Sequence, residues 1–195
     1  MVGKPLPVRA PGVALTPRRA GGAPRPAARQ ALNLLAFQAG WFATVLGAAH
    51  GLPWLGPLAV LAVVGLHLTL TAQRQSELRL ITIAILLGLV FEHALLHAGL
   101  VGYAGDPAWV PLWMLALWPL FATTLNASLA WFKSRLGLAA LAGALAGPLA
   151  YAGGEALGAI RLHEPALWAL AAGWALAFPL LLAVARLGEA RKGTS

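Results

Sequence analysis

The sequence predicts an all-α fold: a polytopic transmembrane helix bundle of six spans, both ends cytoplasmic, built as three candidate helical hairpins. Three observations predict it. Of 195 residues, 59% are hydrophobic and only 10% are charged, against about a quarter charged in soluble domains, so charge is too sparse to cover a water-facing surface. Apolar stretches fill residues 31–187, and each breaks after about 20 residues, the length that crosses a bilayer. Positive charge sits at alternate breaks, which gives the spans a direction.

The spans are 31–50, 53–72, 79–101, 109–131, 137–160 and 165–187. Gly51, Pro53 and Pro57 end the first and start the second, Pro53 standing where a helix start tolerates a missing N–H. Gln73 to Glu77 breaks the second span, and Gly102, Gly105, Asp106 and Pro107 break the third. Lys133-Ser134-Arg135 ends the fourth and Arg161 to Pro165 the fifth. Arg74 and Arg79, Lys133 and Arg135, and the end carrying Arg186, Arg191 and Lys192 fall on one side; Arg161 falls alone on the other. The crowded side is the cytoplasm by the positive-inside rule, and two ends on one side require an even number of spans. The localisation expected is a bacterial inner (cytoplasmic) membrane.

Residues 1–30 hold Lys4, Arg9, Arg18, Arg19, Arg25 and Arg29 and no acid. This stretch is rich in Pro, Gly and Ala and poor in aromatics, so it reads as a disordered cytoplasmic tail that touches anionic headgroups. Residues 188–195 form a second short tail. The net charge of +8 therefore marks topology, and no nucleic-acid partner is expected. There is no cysteine, which removes disulfides and thiolate chemistry within the chain.

Trp54, Trp109, Trp113 and Trp168 cluster at the outer ends of the even spans and Trp131 near an inner end, as an aromatic belt would place them. Gly143/Gly147 and Gly154/Gly158 give the fifth span two GxxxG spacings, which allow close backbone approach. That span is expected to pack centrally, or to offer its glycine face to a second copy or another membrane subunit.

Glu92 falls near the middle of the third span, where a carboxylate costs about 2.5–3.5 kcal/mol on an insertion scale. It must face the interior, find a partner or be protonated. His93 and His97, one turn apart, share a helical face and could bind one metal ion. Glu92 lies about 100° round the helix from His93, so it is no automatic third ligand. Further ligands would come from Glu155, His163 or Glu164. Glu92, His93, His97 and Glu155 thus form a candidate intramembrane polar site: a metal site, a proton or substrate site, or a polar cluster that orients spans three and five. Apart from that metal ion, no cofactor is expected. Gln38, His67, Thr123 and Asn126, with Thr124 and Ser128 nearby, form a candidate inner polar layer.

Phe37-Gln38-Ala39-Gly40-Trp41-Phe42, Glu77-Leu78-Arg79-Leu80, the run from Pro111 to Trp131 and Gly147-Pro148-Leu149-Ala150-Tyr151 resemble a bacterial family of small polytopic membrane proteins, domain of unknown function 2878. The resemblance runs from about residue 31 to the end of span five or beyond. It implies a membrane location and a helical bundle, carries no assigned activity and points toward lipid metabolism. It also implies a histidine where this chain has Ala127, and an aspartate near Glu92; the departure at Ala127 weakens a proton-relay reading of the inner layer.

The function expected is binding or transport of a small apolar or amphipathic molecule in an intramembrane polar pocket. A membrane enzyme of lipid metabolism using Glu92 and the histidines is one alternative. A non-catalytic accessory subunit is the other. The partners expected are the bilayer and a lipid or small apolar ligand, with oligomer or complex contacts through span five.

Overall fold

A computed structural model describes residues 26–190; most of the basic N-terminal tail and residues 191–195 lie outside the described residues. Six helices follow one another: α1 Pro26–Ala49, α2 Leu55–Leu70, α3 Arg74–His97, α4 Leu112–Leu125, α5 Leu136–Ala156 and α6 Ala166–Ala190. Two short strands, β1 Val101–Tyr103 and β2 Ile160–Leu162, were not anticipated. They pair antiparallel, with Gly102 opposite Arg161. They close the end of the bundle to which α1, α3 and α5 run. Arg161, at that end, pairs with Asp106.

The observed helices are displaced from the expected spans in ways the residues explain. Pro26 opens α1 five residues early, its fixed φ and missing N–H suiting a first turn. α3 also starts five residues early, at Arg74, and takes Glu77 into its first turn. α4 stops at Leu125 instead of running on to residue 131. Thr123 Oγ1 and Thr124 Oγ1 bond back to the carbonyls of Leu120 and Phe121, and such side chains compete with the helix ladder. The chain then continues through turns into a 3₁₀ helix, Ala130–Ser134.

α1, α3, α5 and α6 are long and apolar enough to cross a membrane; α2 and α4 are shorter apolar helices. Their 16 and 14 residues rise about 24 and 21 Å, short of a hydrocarbon core of about 30 Å. Large apolar side chains line the outside of the bundle: Leu61, Leu66, Val90, Leu145, Leu149 and Leu176 are each more than half exposed. Apolar patches of that extent mark a surface that meets lipid or a partner.

Consecutive helices pack in pairs, α1 on α2, α3 on α4 and α5 on α6. The central element is α4, which touches α1, α2, α3 and α6 and buries Trp113, Met114, Trp118, Leu120 and Leu125. This corrects the expectation that the glycine-rich fifth span would be central. Gly143 and Gly147 face α6, where an added Cβ would meet the backbone and ring of Trp174. The glycine face is therefore filled within the chain. Gly154 packs on Ile160 of β2, and Gly158 has φ +85° at a turn that favours glycine. Trp113 is a second correction. It is 2% exposed and packs edge-on against Tyr103, while Trp54, Trp109 and Trp168 are exposed as a belt requires.

Candidate functional site

Glu92 lies five residues before the end of α3, nearer the β1–β2 end than the span midpoint expected for it. It has no exposed surface. Three side chains from three other elements converge on it. Tyr151 Oη of α5 donates to Oε1 at 2.5 Å, Trp118 Nε1 of α4 to the same oxygen at 3.0 Å, and Tyr103 Oη of β1 to Oε2 at 2.8 Å. The chain has two tyrosines, and both bind this carboxyl. A buried carboxyl with three donors satisfies the rule that buried polar groups find partners, and it ties four elements at one point. Burial pushes the Tyr103 phenol well above its ordinary range, and the neighbouring Glu92 carboxyl adds to the shift. Tyr103 therefore remains a donor.

The other members of the expected outer site do not join it. His93 is half-buried on another face of α3, its Nδ1 2.8 Å from Leu89 O and its ring 5.9 Å from that of Trp109. His97 is exposed, with its ring 6.0 Å from that of His93. Glu155 is exposed at the end of α5 and accepts a hydrogen bond from Leu162 N at 2.7 Å. His163 and Glu164 are exposed in the loop before α6. Among the described residues, no three His, Cys, Asp or Glu side chains gather as a metal ion would require.

At the opposite end of the bundle, polar groups collect round the point where α4 breaks. Asn33 of α1 donates from Nδ2 to Thr123 O at 3.2 Å, and its Oδ1 accepts from Ser128 Oγ at 2.6 Å. Non-helical backbone within apolar surroundings needs such partners. Asn126 Nδ2 donates to Glu77 Oε1 at 3.0 Å. His67 Nε2 of α2 stands 3.2 Å from Glu77 Oε2, at ion-pair distance but too poorly aligned for a hydrogen bond. Glu77, 4% exposed, is thus the hub of this cluster. The sequence places Glu77 in the break between spans two and three and outside the layer; the structure takes it into the first turn of α3. Of the residues expected there, His67 and Asn126 meet Glu77, Thr123 meets Asn33, and Gln38 lies apart on α1.

Gln38 instead belongs to a cavity of about 580 Å³ between α1 and α5, backed by α4 and α6. That volume is in the range of small-molecule sites. The walls are aromatic and aliphatic. Trp118 and Trp174 stack with centroids 5.2 Å apart, and Phe121 and Phe178 continue the surface toward the α4 break. Along α1 the cavity runs from Leu34 to Val45, and along α5 from Ala142 to Tyr151, lengths of about 16 and 14 Å. Leu34 and Gln38 of α1 and Ala146, Leu149 and Ala150 of α5 are exposed lining residues, so the mouth lies between those two helices. At the β1–β2 end the cavity borders Glu92 and Tyr151.

Fold and site together define a helical bundle, four of whose helices are apt to cross a membrane, with a side-opening apolar cleft ending at a buried carboxyl. Residues 30–180 match the family described as Protein of unknown function (DUF2878), and the chain belongs to that family. The match extends past α5 into α6, as the resemblance allowed. No curated protein and no solved structure matches the chain.

Proposed function

We propose that this protein spans the bacterial cytoplasmic membrane six times, both ends inside, and holds an apolar or amphipathic molecule that enters the α1–α5 cleft from the bilayer. One observation carries the binding reading: an elongated cavity with apolar walls opens sideways between two helices whose outer faces are themselves apolar. A mouth on that face exchanges with lipid rather than with water. His93 and His97 lie outside the cleft, which supports binding over acid–base or metal chemistry. Native mass spectrometry of the detergent-purified chain tests it. One lipid-like molecule retained per chain is expected, and a bare chain after mild extraction overturns the reading.

For the topology, α2 and α4 cross with the help of the turns that extend them. Asn33, Glu77 and Asn126 serve the broken backbone and polar groups near the cytoplasmic side. The native chain has no cysteine, so Ala104→Cys and Ser134→Cys can each be read singly. An impermeant maleimide is expected to label position 104 from outside and position 134 only after the cells are opened. Labelling of position 134 in intact cells reverses the orientation.

A further inference from the structure

The two ends of the cleft differ in chemistry, and that difference orients the molecule it holds. This inference rests on the binding reading above. At the β1–β2 end the polar atoms answer one another. Glu92 accepts from Tyr103, Trp118 and Tyr151, and the buried Trp174 Nε1 is turned on Tyr151 Oη. A polar head placed there gains no free donor, and an anionic one meets a carboxyl with no cation to offset it. No Lys or Arg is among the described residues that line the cavity. This end therefore suits the apolar terminus of a chain.

The opposite end, proposed as cytoplasmic, is built otherwise. Leu129 and Phe132, which wall the cleft there, belong to the short segment that leads into α5. Trp131 stacks on Phe132 with ring centroids 3.8 Å apart and is 49% exposed. The Arg135 guanidinium lies 5.7 Å over the Trp131 ring, and its Nη1 donates to Trp131 O at 3.3 Å. Arg135 is exposed. No described residue accepts from its Nε or Nη2, and none brings a carboxylate to ion-pair distance. Two turns and about 10 Å separate Arg135 from Ala142, the first α5 residue of the cleft wall, so the two share a face. Arg135 also stands just before the span proposed at 137–160, at the level of the headgroup layer. A guanidinium with free donors at that depth fits a lipid phosphate, which it holds bidentately. A zwitterionic head brings its own cation to the phosphate and gains less. The cleft's length of about 14–16 Å is half of a hydrocarbon core of about 30 Å, the depth reached by one chain of a lipid rooted in a single leaflet. The sideways mouth leaves any second chain in the bilayer. We propose that the cleft binds an anionic phospholipid of the cytoplasmic leaflet, with one acyl chain in the cleft, its end toward Glu92, and the phosphate on Arg135.

Native mass spectrometry of the delipidated full chain reads this, with dioleoyl phosphatidylglycerol and dioleoyl phosphatidylcholine added in competition in nonionic detergent. Phosphatidylglycerol is expected to occupy the chain at the lower concentration. Arg135→Gln is expected to cut that preference about fivefold, the size of one basic residue at an anionic surface, and Arg135→Lys to keep most of it. Arg79→Gln removes the same charge from an exposed site on α3, which gives the cleft only Glu92, and is expected to keep the preference in full. Ala146→Trp is expected to end the binding of both lipids. Equal occupancy by the two lipids, or a preference that Arg79→Gln lowers as much as Arg135→Gln does, overturns the head-group assignment and leaves the cleft as a binding site. Failure of both lipids to bind overturns the phospholipid assignment. Lipid binding unchanged by Ala146→Trp overturns the binding reading itself.

Discussion

Glu92→Leu is expected to destabilise the bundle by about 2–5 kcal/mol. Interhelical hydrogen bonds in membrane proteins average about 0.6 kcal/mol and reach about 1.7, and three converge on this carboxyl. Leucine removes all three and leaves Tyr103, Trp118 and Tyr151 as buried donors with nothing to accept from them. Each of those donors belongs to a different element, so the loss loosens α3, α4, α5 and the β1 segment together. Glu92→Gln keeps one oxygen but turns an amide donor toward the others, so it falls between wild type and leucine. Tyr103→Phe removes one bond and is expected to cost no more than about 1.7 kcal/mol. Unfolding in mixed micelles, followed by circular dichroism, ranks the three variants. A leucine variant as stable as wild type means that the convergence on Glu92 does not hold the fold.

The second large effect is expected at Ala146. This residue is exposed on the cleft side of α5 and lines the cavity, so a tryptophan there has open space to occupy and fills the slot between the helices. Ala146→Trp is expected to abolish the retained molecule in native mass spectra. Leu145→Trp is the matched control. Leu145 is 60% exposed on the same helix and is no part of the cavity wall, so this change leaves binding intact. Binding to the folded state stabilises it by mass action, so stripping the retained molecule with excess detergent is expected to lower the melting temperature of the control and leave that of Ala146→Trp unmoved. Equal binding by the two variants places the molecule somewhere other than the cleft.

The helical class, six apolar segments and a polar Glu92 were legible in the sequence because each follows from composition, segment length or the cost of a mid-span carboxylate. The grouping of side chains was less legible. Helical spacing put Glu92 beside His93 and His97, but spacing along one helix does not say which face meets a neighbour. Here the interior face of α3 carries Glu77, Leu80, Ala84, Gly88 and Glu92, while His93 and His97 turn away. That stripe has helical period, and reading it would have joined Glu77 to Glu92 and moved the start of α3 back to Arg74. Tyr103, Trp118 and Tyr151 stand outside the outer site expected from the sequence, because that site draws only on acids and histidines. A buried carboxyl needs donors, and two tyrosines and a tryptophan at matching depth were the available ones. The centrality of α4 had a weaker signal. The fifth span's glycines advertise close packing, yet Gly143 and Gly147 make room for one bulky neighbour on α6, Trp174, rather than for several helices. The aromatic density of α4 fills the centre instead. The pairing of β1 with β2 left no periodic trace, since each strand is three residues long.

The central claim is that the α1–α5 cleft holds a lipid-like molecule within the membrane. Photocrosslinking tests it most directly: a diazirine-bearing long-chain lipid is added to native membranes, and the labelled residues are mapped by peptide mass spectrometry. The account predicts labels concentrated on residues 34–45 of α1 and 142–151 of α5, lost in Ala146→Trp. Labels spread instead over the outer apolar faces, at Leu61, Val90 and Leu176, and unchanged by Ala146→Trp, would contradict it.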